Sequence, residues 1–134
     1  MKHLLFTTAI LLCLAVISPA VVQAGEKQEA RIAYVLKNLK LKADAQAKFK
    51  PVLAAYYEEL KEVKAPYKAL KDKLQDAIDA NRLTVAQCDQ LFNLKEKQEE
   101  AEVALRRKYY AKFKTVVTPQ QAYKALKLSD DKVK

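Results

Sequence analysis

The chain is 134 residues long, carries 25 Lys and Arg against 16 Asp and Glu, and holds only one His, two Cys and one Gly. That length fits a single domain, and the excess of cations predicts attraction to acidic partners. The chain is poorly supplied for the commonest site chemistries: a Ser-His-Asp or Cys-His arrangement needs an imidazole base, zinc and copper favour His and thiolate ligands, and a phosphate-cradling loop needs glycines.

Residues 1–24 read as an export signal. Lys2 and His3 form a short basic start, and Leu4 to Ile17 is a mostly apolar run too short to span a bilayer comfortably. Ser18-Pro19 then breaks the helical pattern, and Val22-Gln23-Ala24 offers a cleavage site. Cys13 follows Ile10-Leu11-Leu12 and lacks the small preceding residue of a lipoprotein anchor. Cleavage after Ala24 leaves one domain, 25–134, with no stable membrane insertion expected. His3 and Cys13 depart with the signal, so Cys88 is the one remaining thiol and the net charge becomes about +8. No enzymatic activity, cofactor or metal site is expected of what remains.

The rest of the chain reads as all-α. Glu26 to Leu39 places Ile32, Val35, Leu36 and Leu39 at spacings of three and four, one apolar helical face. After a link at Lys40 to Ala43, a long helix is predicted from Asp44 to about Ala80. Its seam of Phe49, Leu53, Tyr56, Leu60, Val63, Tyr67, Leu70 and Leu74 alternates steps of four and three, the heptad pattern of a helix lying along another helix. Pro51 and Pro66 each remove an intrahelical bond and are expected to bend it. The chain turns at Asn81-Arg82. A second long helix follows to about Thr115, with a seam through Cys88, Leu91, Leu94, Gln98, Ala101, Leu105, Tyr109 and Phe113 that Gln98 interrupts. A short helix from Pro119 to Leu126 and a frayed tail from Ser129 complete the chain.

Two helix starts are written into side chains. In Leu83-Thr84-Val85-Ala86-Gln87 and again in Val117-Thr118-Pro119-Gln120-Gln121, the threonine can cap the N–H three residues on while the glutamine reaches back to the threonine N–H. Leu83 is placed to staple onto Cys88, and Val117 onto Ala122. Cys88 is therefore expected to be buried and structural, the alternative in an oxidising compartment being a disulfide between two chains.

Beside the seam of the first long helix runs a second stripe. Shifting each seam position by one residue, about 100° around the axis, gives Tyr57, Lys61, Lys64, Lys68 and Lys71 among others. Repulsion between its neighbouring lysines costs roughly 1 kcal/mol in total. Arg106, Tyr110 and Lys114 continue the theme on the other long helix. Tyr57 and Tyr110 each follow a seam tyrosine, so both are expected to point off the core. The stripe reads either as a solvated lysine flank or as a basic, aromatic-dotted binding face made by these eight residues.

An exported, basic, all-helical chain with repeated Leu-Thr-x-x-Gln resembles the Spy/CpxP family of bacterial periplasmic proteins. Leu83 to Gln87 matches that motif outright, Val117 to Gln121 matches with Val for Leu, and Leu39 to Gln46 resembles a degraded copy. The resemblance implies four helices per chain, two of them long and bent in an extended antiparallel hairpin, and a homodimer shaped as a curved cradle. It also implies ATP-independent chaperoning of unfolded envelope proteins. Some relatives instead sense metals or restrain a stress-signalling kinase, so the periplasmic domain of a sensor kinase is the other partner class implied. This chain offers a metal only carboxylates of the Glu96 and Glu99 kind, and an export signal argues against nucleic acid as partner. Homodimerisation is expected on physical grounds too, because two long helices with two short companions cannot cover their own seams.

Overall fold

A computed structural model describes residues 19–131, with side chains described from Gly25 onward. The described chain is all-helical, in five helices: α1 (Pro19–Leu39), α2 (Ala43–Lys73), α3 (Gln75–Asp79), α4 (Val85–Phe113) and α5 (Pro119–Ser129). The expected export signal lies outside the described residues except for 19–24, whose backbone is already helical. The first helix therefore begins by Pro19 and not at Glu26. Proline is tolerated at a helix start, and nothing from Ala20 to Ala24 interrupts a helix.

The long helix expected to reach Ala80 is interrupted at Leu74, where ψ has moved to 8° and the N–H is shared between the carbonyls of Leu70 and Lys71. Pro51 and Pro66 lie inside α2 without ending it. Asn81 takes a φ of 52° after α3, as Lys40 does after α1, and this left-handed residue turns each chain end away from its helix. Both capping boxes are formed. The Thr84 hydroxyl accepts from the Gln87 N–H at 3.1 Å while Gln87 Oε1 accepts from the Thr84 N–H at 3.0 Å. Thr118 and Gln121 repeat this at 3.2 and 3.0 Å.

α2 and α4 run antiparallel along each other, as the pairing of Phe49 with Phe113, Tyr56 with Tyr109 and Tyr67 with Lys95 requires. α1 packs on α2 and α5, and α5 packs on α4 as well. The buried side chains consequently gather at one end. Ile32, Val35, Leu36 and Leu39 of α1 meet Phe49, Leu53, Tyr56 and Tyr57 of α2, Leu105, Tyr109 and Phe113 of α4, and Ala122, Ala125 and Leu126 of α5. Each Phe or Leu buried there contributes about 1.5–3 kcal/mol.

Beyond Leu60 the same seam is covered only in part. Leu60, Val63, Tyr67 and Leu70 of α2, Leu74 at its C-cap, and Leu91, Leu94 and Ala101 of α4 are half-buried, because no third helix lies over them. Gln98 is the one buried polar residue among those described, and its Oε1 has no hydrogen-bond partner. Cys88 corrects the expectation of a buried thiol. It is exposed, because the α4 start is capped at the thinly covered end, and Leu83 opposite the staple position is itself only half-buried. At the other capping box Val117 and Ala122 are both buried in the core.

Candidate functional site

A groove of about 520 Å³ opens between α1 and α2. Its α2 wall comes from one helical face. Tyr57, Leu60, Ala65 and Ala69 line it with apolar surface, and Lys61, Lys64 and Lys68 stand beside them, closed at the far end by Asp72. Lys27, Gln28 and Arg31 form the α1 wall. Five cations and one acid thus surround a largely apolar floor.

The rim charges are unequally committed. Lys64 reaches Glu102 of α4 at 3.6 Å, and Lys68 is held by Asp72 one turn on at 2.6 Å. Among the described residues no acid lies within ion-pair distance of Lys27, Arg31 or Lys61. A hydrogen bond from Gln28 Nε2 to Glu58 Oε1, 2.9 Å, ties the α1 wall to α2. Three uncommitted cations beside apolar surface suit an acidic ligand that also carries apolar groups.

A smaller cavity of about 220 Å³ adjoins the groove and shares Arg31, Leu60 and Lys64 with it. Arg106 enters from α4, and its Nη1 lies 2.8 Å from both carboxylate oxygens of Asp130. Tyr56 forms its buried wall. Burial pushes the Tyr56 phenol above its ordinary pKa, with Arg106 acting in the opposite sense.

The eight residues proposed for the binding stripe therefore separate. Lys61, Lys64 and Lys68 line the groove, and Arg106 joins it through the adjoining cavity. Lys71 is exposed on α2 outside the groove lining. Tyr110 is half-buried against the core, and the Lys114 ammonium lies 4.4 Å from its ring centre. Tyr57 does not point off the core. It is only 4 % exposed, because α2 is covered on two adjacent faces at this level, by α4 on the seam and by α1 and α5 on the flank. Its hydroxyl donates to Ser129 Oγ at 3.0 Å, and burial raises its pKa, with the Ser129 bond lowering it in part. Only its edge reaches the groove.

The sequence reading missed Lys27 and Arg31, which stand one helical turn apart on the polar face of α1. Their spacing was visible, but nothing in it tells which helix they face. Among the described residues no group of three or more His, Cys, Asp or Glu side chains could hold a metal ion. No described helix is long and apolar enough to cross a membrane. No protein-family model, curated protein or solved structure matches the chain.

Proposed function

We propose that this chain is an ATP-independent holdase of the bacterial periplasm, which captures unfolded envelope proteins along the groove between α1 and α2. The observation that carries the proposal is the apolar floor of Leu60, Ala65 and Ala69 flanked by uncommitted Lys27, Arg31 and Lys61. Cations raise the rate of encounter with acidic, unfolded segments, and the floor slows their release. Binding of this kind needs neither nucleotide nor metal.

The working form is a homodimer, curved into a cradle by the pairing of two long antiparallel helices per protomer. A second copy would cover the half-buried seam beyond Leu60, whose apolar surface a lone small domain does not ordinarily leave to water.

The test is light scattering from an unrelated unfolding protein in the presence of purified residues 25–134 without ATP. Suppression at near-stoichiometric ratios is expected, and it should weaken as salt shortens the Debye length from about 10 Å at 0.1 M to about 3 Å at 1 M. Arg31→Glu with Lys61→Glu should slow capture and flatten that salt dependence. Full aggregation alongside the folded parent chain rules the proposal out, and protection confined to one partner points to a protein dedicated to a single sensor.

A further inference from the structure

The C-terminal end of α5 is expected to fray, yet the described part of it is fastened on three sides. Ser129 Oγ accepts from Tyr57 and donates to the Ala125 carbonyl at 2.7 Å. Asp130 sits on Arg106, and Asp131 Oδ2 accepts from the Tyr34 hydroxyl at 3.4 Å. Two acids at a helix C-terminus oppose the helix dipole, which favours cations there. Their placement is not explained by α5 itself. It is matched by what they face, since Asp130 and Asp131 line the cavity that Arg31, Lys64 and Arg106 also line, the end of the client groove.

We propose that Ser129-Asp130-Asp131 is an intramolecular occupant of the subsite where a client anchors its carboxylates, an inference that rests on the groove being the client site. An acidic stretch of an unfolded polypeptide docks on Arg106, Arg31 and Lys64 in place of Asp130, and its apolar neighbours fall along Leu60 and the alanines beyond. The Arg106–Asp130 pair is well suited to exchange. Both side chains are substantially exposed, so the pair is weakly held, and a client offering several carboxylates plus apolar surface can replace it. The groove thereby selects acidic segments that border apolar ones, and weak or purely charged ligands are turned away by the resident segment.

The probe is a short, unstructured, fluorescein-labelled peptide carrying Ser-Asp-Asp between leucines, followed by anisotropy at low salt, with its Ser-Asn-Asn counterpart as reference. The parent should prefer the acidic peptide. Asp130→Asn with Asp131→Asn should bind it about three- to tenfold more tightly, because the fraction of binding-competent chain rises. Asp44→Asn with Asp89→Asn makes the same change in net charge at exposed positions elsewhere and should leave affinity within about twofold, a screened long-range effect. Adding Arg106→Gln to the first pair should abolish its gain. A gain no larger than that of the control pair, or one that survives Arg106→Gln, overturns the latch while leaving the holdase reading intact. A parent that binds neither peptide and protects no client overturns both.

Discussion

The rings of Phe49 and Phe113 meet edge to face at 4.8 Å between centroids, with their planes 67° apart, and neither keeps any exposed surface. This contact closes the end of the α2/α4 pair where α1 and α5 also arrive. Phe113→Ala should cost about 3–5 kcal/mol, the transfer loss plus the cavity left behind, a large part of a small domain's stability. Denaturant unfolding measures it directly. Phe113→Leu should cost markedly less, and equal losses for the two would show that the site collapses around either residue.

Tyr57 is a core residue with one polar tie. Tyr57→Phe keeps the ring and removes the hydroxyl that donates to Ser129, at about 0.5–1.5 kcal/mol. Tyr57→Ala should cost about 3–5 kcal/mol, as for other large core side chains. Tyr110→Ala, at a half-buried position, should cost less. A thermal melt of Tyr57→Ala indistinguishable from that of the parent would remove this side chain from the core.

How far the sequence foretold these roles follows from what a heptad states. The α2 seam correctly singles out Phe49, Leu53 and Tyr56 as buried, and the α4 seam does so for Leu105, Tyr109 and Phe113. Both capping boxes are local chemistry, and both form where the threonine and glutamine were read. A seam fixes a face but not the stretch of it that a third helix covers, so Leu70 and Leu94 had the same signal as Leu53 and ended half-buried. The same gap misplaced Tyr57 and Cys88. The first is covered by α1 and α5 from a flank, and the second lies where neither helix reaches. Long-range placement of α1 also hid Lys27 and Arg31 from the reading of the groove.

The two caps should differ in weight although their geometry is alike. Replacing an N-cap threonine by alanine costs about 1 kcal/mol. For Thr118→Ala the full loss should appear in global unfolding, because α5 contributes Ala122, Ala125 and Leu126 to the core. Thr84→Ala loosens an exposed helix start and should appear mainly in local opening there. Equal shifts of the global midpoint would show that α4 unfolds from its first turn in one cooperative step with the core.

Burial, reinforced by the neighbouring Glu59 carboxylate, pushes the Tyr109 phenol from its ordinary 10.0 up to about 12. A raised folded-state pKa stabilises the fold fully below the unfolded value near 10, and that contribution fades as pH climbs from 10 through 12. Glu59 works at the opposite end of the scale. The Lys108 ammonium, hydrogen-bonded to Glu59 Oε1 at 2.8 Å, holds its carboxyl below the ordinary 4.5, so its stabilisation is present above that value and fades as pH falls through the lowered one. Ultraviolet titration should find Tyr56, Tyr57 and Tyr109 ionising above the ordinary phenol value of 10.0. Ionisation of these three phenols near 10 in the folded chain would contradict this placement.

The lopsided core makes the molecule a cantilever. Amides of the Ile32–Leu39, Phe49–Tyr57 and Leu105–Phe113 segments should exchange only when the whole clamp lets go, whereas α3 and the first turns of α4 should open while the clamp stays shut. Hydrogen exchange should therefore grade along each long helix, slow at the clamped end and fast at the Asn81 turn. The groove spans that gradient, with Tyr57 at its rigid end and Asp72 toward the yielding one. If the groove holds clients as proposed, a bound chain is gripped by a fixed jaw and a compliant arm, which lets one rigid anchor serve segments of differing bulk.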